Sequence, residues 1–387
     1  MAKEIGVGMI GYAFMGKSHA NGWRQVPHFF DTPYTPVLKT IAGRNEEAAK
    51  EAAAEYGFEK VETDWKKLLE DDDIQIIDIC SPGNLHKPMA IAALEAGKHV
   101  ICEKPLANNL AEAIEMTAAA KKSGKKTLTA YNYRRVPAIA WAKQMIDEGV
   151  IGEIYHWRAV YLQDWIMDPM FPLVWRLSKE VAGSGPHGDL NAHITDLARW
   201  LVGEIDEVVG SKKTFIKERP VEEGAPGGGL GAAGGTEMGE VTVEDAMLFL
   251  AKFENGALGS FEATRFAGGR RNYNSWEING SKGSIKFNLE RLNELEYYNM
   301  DDPEGLQGFR TIICNDANQP YNEAWWPGGH IIGWEHSFTH EFKDFLEAIG
   351  GQGEIQPDFE DGTKTQAVLE AAMDSTESGR WEKVQKI

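Results

Sequence analysis

The first third of the chain alternates short apolar runs with segments of helical composition, and this alternation restricts the fold more than any other feature. The runs are rich in aliphatic residues, whereas the segments between them, such as residues 45–56, are rich in Ala, Glu and Lys. Apolar strands that alternate with helices are typical of a parallel sheet covered on both faces. The predicted strands are Ile5–Ile10, Val37–Ala42, Ile74–Ile79, Lys98–Ile101 and Lys126–Ala130, and the predicted helices are Met15–Gln25, Asn45–Tyr56, His86–Ala96 and Asn109–Ser123.

After residue 150 the pattern changes to strands separated by turn signals. Turns rich in Asn and Gly, such as residues 254–256 and 279–283, favour antiparallel pairing of the strands beside them. The Gly-rich stretch 224–239 is predicted to be a surface loop. The predicted strands are Ile154–Leu162, Val241–Phe253, Ala257–Thr264, Tyr273–Ile278, Ser284–Phe287 and Leu295–Tyr298, and the predicted helices are Leu190–Leu201, Trp334–Ile349 and Asp361–Ser378.

These patterns predict an α/β fold with two domains. We expect a doubly wound parallel sheet in residues 1–131 and an α+β domain with an open, mainly antiparallel sheet in residues 132–387. The last helices are candidates for packing back on the first domain. The length of 387 residues fits this division, because it exceeds what one hydrophobic core usually supports.

The charge balance excludes some classes of partner. With 40 basic and 59 acidic residues, the formal net charge of −19 argues against binding a nucleic acid or an anionic membrane surface. The cysteines, Cys80, Cys102 and Cys314, are too sparse for a disulfide framework or a zinc ribbon. No run resembles a signal peptide or a membrane span. We therefore expect a cytoplasmic protein with reduced cysteines that acts on a small molecule.

The first predicted strand runs into Gly11-Tyr-Ala-Phe-Met-Gly16, and a helix follows. Glycines at the first and last positions permit a tight turn and a close approach of helix to strand, and the helix N-terminus attracts a pyrophosphate. Ala13 stands where the dinucleotide fingerprint usually has its middle glycine. We predict a dinucleotide site at Gly11, Ala13, Phe14, Met15 and Gly16.

The end of the second strand bears on the choice of cofactor. An NAD site normally has Asp or Glu here for the adenosine ribose, but this chain has Gly43 followed by Arg44. A missing carboxylate beside a guanidinium suits a 2′-phosphate, which favours NADP slightly over NAD. The alternative is that Arg44 stacks on the adenine or is solvated, so NAD and NADP both stay open.

Two further segments follow predicted parallel strands, where ligands bind in such sheets. They are Cys80-Ser-Pro-Gly-Asn-Leu-His86 and Cys102-Glu-Lys-Pro105. The proline after Lys104 biases that residue towards extended backbone and so fixes its direction. An ordinary surface lysine is the alternative.

Asp189 and His193 form the most informative pair of the second domain. They follow a Gly-rich entry and are four residues apart, so they share one face of a predicted helix, an arrangement that suits general acid–base chemistry. A histidine with a structural role is the alternative. His187 does not extend the pair to a metal site, because its spacing does not place three ligands on one helical face. No metal is predicted.

Together these motifs resemble the Gfo/Idh/MocA family of sugar and polyol oxidoreductases, in the order Gly-rich turn, Glu-Lys-Pro, and Gly…Asp-x-x-x-His. The resemblance implies an N-terminal Rossmann domain, a carbohydrate substrate, and a homodimer or homotetramer formed through the exposed face of the C-terminal sheet. Within the family, Gln163-Asp-Trp165 and Trp175-Arg176 are most similar to levoglucosan dehydrogenase-like and glucoside 3-dehydrogenase-like members.

Motifs and resemblance together imply two sets of site residues. Cofactor contacts are expected from Gly11, Ala13, Phe14, Met15, Gly16, Gly43, Arg44, Ser81, Pro82, Asn84, His86, Glu103, Lys104, Asn132, Trp175 and Arg176. Substrate contacts are expected from Lys104, Tyr133, Gln163, Trp165, Arg176, Asp189, His193 and His336.

The resemblance implies hydride transfer between a sugar or glycoside hydroxyl carbon and the nicotinamide, with C3 of a pyranose as one candidate. His193 is expected to accept the hydroxyl proton, Asp189 to orient His193 or a neighbouring hydroxyl, and Lys104 to stabilise the developing alkoxide. One alternative is a redox-assisted glycosidase or lyase that retains NAD, oxidises C3 transiently and eliminates the aglycone. A nucleotide-binding regulatory protein without chemistry is a further alternative.

Overall fold

The computed structural model describes residues 2–223 and 233–387. It divides into two compact units, the first made of Met1–Val136 and Tyr321–Thr363 and the second of Pro137–Pro320 and Lys364–Ile387. This division differs from the predicted one, 1–131 and 132–387, in counting residues 132–136 and 321–363 with the first unit. Within the described residues, no helix is both long enough and apolar enough to cross a lipid bilayer.

The bounds of the strands and helices are as follows. The strands are β1 (Lys3–Ile10), β2 (Tyr34–Ala42), β3 (Lys60–Glu62), β4 (Ile76–Ile79), β5 (His99–Cys102), β6 (Thr127–Thr129), β7 (Ile154–Leu162), β8 (Ile205–Lys213), β9 (Glu218–Glu223), β10 (Ala233–Glu240), β11 (Ala246–Phe253), β12 (Leu258–Thr264), β13 (Tyr273–Gly280), β14 (Gly283–Asn288), β15 (Glu294–Asn299), β16 (Arg310–Ile313) and β17 (Glu382–Lys383). The helices are α1 (Phe14–Phe29), α2 (Glu46–Tyr56), α3 (Lys67–Glu70), α4 (His86–Glu95), α5 (Leu110–Ser123), α6 (Pro137–Asp147), α7 (Lys179–Ala182), α8 (Ala192–Leu201), α9 (His336–Ile349) and α10 (Phe359–Ser378).

The first unit contains a six-stranded sheet in the order β3-β2-β1-β4-β5-β6, in which all neighbours pair in parallel. This order is that of a Rossmann fold, and it confirms the predicted doubly wound sheet. The carboxyl ends of β1 and β4 lie side by side at the point where the strand order reverses, which is where such sheets bind ligands. β3 was not predicted, because its three residues are too few and too polar to give a strand pattern.

Local sequence determines where two helices of this unit begin and end. Asn45 and Asn109 cap the N-termini of α2 and α5 by accepting hydrogen bonds from backbone N–H groups. Gly57 and Gly124 end the same helices in the left-handed conformation that glycine adopts without strain.

The core of the first unit includes residues far apart in the chain. Phe338, Phe342 and Phe345 of α9 are fully buried in one cluster with Trp23 of α1 and with the strands β1, β2 and β4. The rings of Trp23 and Phe342 stack with centroids 4.2 Å apart and planes 5° from parallel. The sheet therefore has α1 and α9 on one face, both covering the same strands.

The second unit contains a nine-stranded sheet in the order β16-β15-β14-β13-β7-β12-β11-β8-β17. Every neighbouring pair is antiparallel except β7 with β12, which confirms the predicted open, mainly antiparallel sheet. Burial alternates along β11, where Met247 and Phe249 are buried and Leu248 and Leu250 are exposed. The sheet therefore has one covered and one open face.

Three predicted elements of this unit differ from the structure. The predicted strand Val241–Phe253 begins only at Ala246, because Val241 and Val243 pack into a separate small cluster with Ile166, Val174 and Leu177. The predicted loop 224–239 is wrong for residues 233–239, which form β10 and pair antiparallel with β9. Residues 224–232 lie outside the described residues. The predicted helix Leu190–Leu201 begins as α8 at Ala192, after a π-helical turn over His187–Asn191.

Candidate functional site

The turn after β1 has the geometry that a dinucleotide needs. Gly11 has a φ of 103°, and a Cβ on it would stand 2.6 Å from the carbonyl oxygen of Cys80. A Cβ on Gly16 would stand 2.3 Å from the carbonyl oxygen of Gly11. Both positions therefore require glycine, which permits the tight turn after β1 and the close packing of α1 against that strand that a dinucleotide-binding turn has.

The N-terminus of α1 is also suited to an anion. Its N-cap residue is Ala13, which offers no side-chain cap, and the first turn contains no acidic residue. The side chain of the N-cap residue therefore accepts no hydrogen bond from the first backbone N–H groups of α1. The helix dipole adds partial positive charge at this end of the helix. Phe14 is 61% exposed and stacks on Trp334 with centroids 5.6 Å apart. Met15 is half-buried beside the core. These residues fit a dinucleotide.

Gly43 has a packing explanation that the sequence did not show. A Cβ at this position would stand 2.0 Å from the ring of Tyr12, so the ring of Tyr12 occupies the space where an aspartate would begin. The hydroxyl of Tyr56 donates to the backbone oxygen of Tyr12 and holds that residue in place. Arg44 is exposed beside it. Gly43 thus leaves room for the ring of Tyr12, and the preference for NADP stays a prediction.

The segment after β4 forms a turn that leads into α4. Ser81 and Pro82 are half-buried and Asn84 is exposed, whereas His86 is buried. The ring nitrogens of His86 lie 2.9 Å from the carbonyl oxygen of Ser81 and 3.0 Å from that of Pro105. Burial lowers the pKa of His86. His86 thus joins the loops after β4 and β5, and its predicted contact with the cofactor stays a prediction.

Lys104 is half-buried at the carboxyl end of β5, and a hydrogen-bond network that the sequence did not reveal lies directly behind it. Glu103 accepts hydrogen bonds from Nε2 of His19, at 2.9 Å, and from the backbone N–H of Lys104, at 3.0 Å. Nδ1 of His19 donates to Asp78 at 2.9 Å, and Nε1 of Trp23 donates to the same carboxylate at 2.8 Å. A charged residue in the apolar strand β4 was the one sequence signal for this network.

Glu341 of α9 lies near this network. It is fully buried, and neither of its carboxylate oxygens has a hydrogen-bond partner within the described residues. Burial raises its pKa to about 8, against the lowering effect of Arg135 and His19 and with further raising by Glu103 and Asp78. Burial therefore favours the protonated form of Glu341 over the carboxylate.

The predicted residues Asn132, Tyr133 and His336 also lie in the first unit. Nδ2 of Asn132 donates to Oγ of Ser337 at 2.8 Å, and Nε1 of Trp334 donates to the hydroxyl of Tyr133 at 3.4 Å. His336 is half-buried at the start of α9, and its Nδ1 accepts from the backbone N–H of Gly333. Its ring lies edge-on to Trp325 with centroids 4.5 Å apart.

In the second unit, Asp189 and His193 flank the junction between the π-helical turn and α8. Backbone N–H of Ala192 donates to the carbonyl of His187, five residues back, which defines the π turn. Such turns are frequent at functional sites. His193 is 6% exposed, and its ring packs against that of Tyr161 with centroids 5.9 Å apart.

Asp189 has a charged partner that sequence analysis missed. Nη2 of Arg265 donates to Oδ2 of Asp189 at 2.7 Å, and Arg265 is almost fully buried. The guanidinium carbon of Arg265 also lies 5.2 Å from the centre of the Trp165 ring. Arg265 directly follows β12, but only the strand register shows that it meets Asp189.

A chain of side-chain hydrogen bonds extends from Trp165. Its Nε1 donates to Gln163 at 2.8 Å, and Nε2 of Gln163 donates to Oδ1 of Asn272 at 3.0 Å. The hydroxyl of Tyr161 donates to the same oxygen at 2.7 Å. Because Tyr161 contacts His193 and Trp165 contacts Arg265, these residues form a polar wall, defined as Tyr161, Gln163, Trp165, Asp189, His193, Arg265 and Asn272.

The remaining predicted residues of this unit are Trp175 and Arg176. They lie in a short 3₁₀ turn over Trp175–Leu177, where both side chains are half-buried and the guanidinium of Arg176 stands 4.3 Å from the Trp175 ring centre. His187 is buried and faces elsewhere, because its Nε2 donates to the carbonyl of Leu369 and its Nδ1 accepts from Asn191. Both ring nitrogens of His187 are therefore used in contacts within the second unit, which indicates a structural role.

Within each unit, the structure brings most predicted residues into groups. The first unit groups the Gly11–Gly16 turn with the loops after β4 and β5, and the second groups Gln163 and Trp165 with Asp189 and His193. Arg44 lies with the end of β2. Roles in binding and catalysis stay predictions for all of them.

Comparisons with known proteins agree with this geometry. Residues 5–131 match the model of the oxidoreductase family with an NAD-binding Rossmann fold, and residues 139–286 match the GFO/IDH/MocA C-terminal domain. A levoglucosan dehydrogenase from Pseudarthrobacter phenanthrenivorans is 44% identical over 389 residues, which cover 100% of this chain and 99% of that protein.

Solved structures show the same likeness. The crystal structure of an oxidoreductase domain protein from Kribbella flavida superposes with a TM-score of 0.94 at 48% identity, over 100% of both chains. A structure of levoglucosan dehydrogenase in complex with NADH and levoglucosan superposes with a TM-score of 0.94 at 42% identity, over 99% of this chain and 100% of that one.

The chain therefore belongs to the Gfo/Idh/MocA family of oxidoreductases, as its motifs predicted. Membership confirms an NAD-binding Rossmann domain and, at the level of the family, an NAD(P)-dependent dehydrogenase.

Proposed function

We propose that this protein is a dehydrogenase that transfers a hydride between a hydroxyl-bearing carbon of a pyranose sugar and the nicotinamide of NAD or NADP. The observation that carries the proposal is the polar wall, in which Arg265 contacts Asp189 and Trp165, Trp165 donates to Gln163, and His193 joins them through Tyr161 and Asn272. Indole rings bind the apolar faces of sugar rings, and the other groups suit sugar hydroxyls. Similarity over the full chain to levoglucosan dehydrogenase supports a carbohydrate substrate.

The residues of the chain are assigned the following roles. The bound nicotinamide supplies the redox chemistry by accepting or giving the hydride. His193 takes the proton of the reacting hydroxyl, because a neutral imidazole accepts a proton near neutral pH. Asp189, whose direction is set by Arg265, orients His193 or holds a neighbouring hydroxyl. The ammonium group of Lys104 stabilises the negative charge that develops on the substrate oxygen.

The reacting carbon and the preferred cofactor are finer parts of the proposal. We assign the reaction to C3 of the pyranose on the likeness of Gln163-Asp-Trp165 and Trp175-Arg176 to glucoside 3-dehydrogenase-like sequences. Arg44 supports a slight preference for NADP, since its exposed guanidinium follows a position without a carboxylate.

The test is a panel of levoglucosan, free hexopyranoses and alkyl glucosides, each with NAD and with NADP. Absorbance of the reduced nicotinamide gives the rate, and NMR of the product identifies the oxidised carbon. The expected result is one reduced nicotinamide per 3-keto product. Products cleaved at the glycosidic bond without net reduced nicotinamide would contradict the proposal and support the redox-assisted glycosidase. NADH binding without turnover of any sugar would support the regulatory protein.

The open face of the nine-stranded sheet supports the proposed homo-oligomer. Leu248, Leu250 and Leu258 are each about half exposed on β11 and β12, and their side chains form an apolar patch on this face. We propose that copies of the chain meet here as a homodimer or homotetramer. Leu250→Glu should lower the mass measured by light scattering to that of a monomer, and an unchanged mass would contradict this interface.

The cytoplasmic location is also part of the proposal. It is supported by the cysteines, none of which forms a disulfide, as is usual in reducing compartments. Cys102 and Cys314 are buried. Fractionation of the source cells, with detection by antibody, tests it.

A further inference from the structure

A buried histidine in the first unit has both ring nitrogens committed to carboxylates. His19 lies on α1 with no exposed side-chain surface. Its Nδ1 stands 2.9 Å and 3.1 Å from the two oxygens of Asp78, and its Nε2 stands 2.9 Å from Oε1 of Glu103. A carboxylate accepts hydrogen bonds, and an imidazole donates from both ring nitrogens only as an imidazolium, so this geometry favours the charged form of His19.

The charges around the ring agree with that protonation state. Burial would lower the pKa of His19, but the charges and hydrogen bonds of Asp78 and Cys80 together outweigh burial and raise the pKa well above its usual value. Hydrogen bonds between charged groups are about twice as strong as neutral ones and gain further in a surrounding of low dielectric constant. Asp78, His19 and Glu103 therefore form a rigid, buried chain.

This chain ends on the backbone of Lys104. Oε1 of Glu103 is held by His19, and Oε2 accepts the backbone N–H of Lys104 at 3.0 Å. The carboxylate of Glu103 thus binds the backbone of the residue that follows it in the sequence. Because the first contact fixes the plane of the carboxylate, the second fixes the peptide between Glu103 and Lys104 and with it the direction in which the lysine side chain leaves.

Aromatic rings hold the other end of the chain. Nε1 of Trp23 donates to Asp78, and Phe338 and Phe342 of α9 lie 5.2 Å and 5.1 Å from the His19 ring. This packing keeps water away and prevents rotation of the imidazole.

A metal site does not explain the cluster. Ligand atoms of His19, Asp78 and Cys80 lie within 4.8 Å of one another, the one such group within the described residues. However, each ring nitrogen of His19 directs a proton at a carboxylate and has no lone pair for a metal.

We propose that His19 is a positioning residue, which, through Glu103, orients Lys104 for the proposed reaction. The inference rests on the proposed function, because it gives this network a task in hydride transfer. It goes beyond the family likeness, since it arises from contacts between residues up to 84 positions apart.

The test uses His19→Gln and Glu103→Gln in the full chain. Each variant keeps a side chain of similar size but breaks the charged link between Asp78 and the Lys104 backbone. A displacement of this kind costs about tenfold to hundredfold in kcat. We expect that loss in both variants, and we expect the double variant to lose no more than either single one.

Lys98→Met is the matched control. Lys98 precedes β5 as Glu103 follows it, and its buried ammonium group donates to the carbonyl oxygens of Asp71 and Ile74 at 2.8 Å and 2.7 Å. The substitution of Lys98 also breaks charged hydrogen bonds in the first unit, but at the end of β5 opposite to Glu103. It should therefore lower the melting temperature without moving Lys104. We expect its kcat to equal that of the wild type.

A second readout does not depend on turnover. Lysines are reductively methylated with a ¹³C label, and the Lys104 signal is assigned by its loss in Lys104→Arg. The signal should shift in His19→Gln and Glu103→Gln and stay in place in Lys98→Met. An unmoved signal, or a kcat equal to that of the wild type, would overturn the inference. Failure of the wild type to oxidise any pyranoside would sink the proposed function, while the NMR signal still decides whether His19 positions Lys104.

Discussion

Nη2 of Arg265 donates a 2.7 Å hydrogen bond to Oδ2 of Asp189, and the arginine side chain is only 1% exposed while that of the aspartate is 30% exposed. A cation buried at such a cost needs a partner or a task. The hydrogen bond leaves the carboxylate of Asp189 partly accessible and fixes its direction. Arg265 therefore acts on the same side chain that was predicted from sequence to be catalytic.

Arg265→Met should lower kcat/KM for the sugar about tenfold to hundredfold, which is the worth of one hydrogen bond between charged groups. The Kd for NADH should not change. Arg265→Lys should recover part of the loss, because it keeps the charge. Arg271→Met is the control, since that side chain is 85% exposed and pairs with Asp164 at 3.5 Å. Equal effects of the two methionine variants would contradict the role of Arg265.

His193→Ala should lower kcat about 10²-fold to 10⁴-fold, because a positioned general base contributes a factor of that size. Fluorescence titration with NADH should give the wild-type dissociation constant. His187→Gln provides the comparison, as it alters a buried histidine of the same segment that hydrogen-bonds Leu369 and Asn191. Wild-type turnover in His193→Ala would refute its role as base.

Arg44→Ala should raise the KM for NADP about tenfold or more and leave the KM for NAD unchanged, because only the 2′-phosphate offers the guanidinium a charged partner. Steady-state kinetics with both cofactors measures the effect. Arg24→Ala, which removes another exposed arginine of the first unit, should change neither constant. If Arg44→Ala affects the two cofactors equally, Arg44 does not discriminate between them.

Glu341→Gln should change how stability depends on pH. Burial raises the pKa of Glu341 to about 8, so between about pH 4.5 and pH 8 the folded state holds a proton that the unfolded state has lost. The contribution of Glu341 to the free energy of unfolding therefore falls as pH rises through this range. Glutamine has no such proton, so the variant should be more stable than the wild type at about pH 8 and similar to it at about pH 5.

Denaturation by urea at several pH values measures this effect. Glu347→Gln on the same helix is the control, because Glu347 is half-buried and pairs with Lys343 at 2.8 Å. A parallel pH dependence of Glu341→Gln and the wild type would show that Glu341 is ionised in the folded state.

Sequence located the parts of the fold and site that depend on neighbours along the chain. Gly11 and the Glu103-Lys104-Pro105 loop follow strands that their apolar residues reveal, and Gly16 lies in the helix after the first of these turns. Strand β10 was missed, because its Gly-rich sequence shows no alternation of apolar and polar side chains. Its extended conformation comes with antiparallel pairing to β9.

The partners of the predicted site residues were beyond the reach of sequence for a physical reason. His19 meets Asp78 across 59 positions, and Arg265 meets Asp189 across 76. Those contacts depend on which strands are adjacent and in what register, which local periodicity does not determine. The charge of Asp78 in an otherwise apolar strand signalled that a partner exists but not which residue it is.

The burial of α9 against α1 has a consequence for the order in which the protein is made. Trp23 and His19 leave the ribosome early, but Phe338 and Phe342, which cover them, are translated some three hundred residues later. Synthesis proceeds at about 5–20 residues per second, so the face of α1 that carries Trp23 stays uncovered for tens of seconds. The apolar surface of the nucleotide domain is thus completed only when nearly the whole chain has been synthesised.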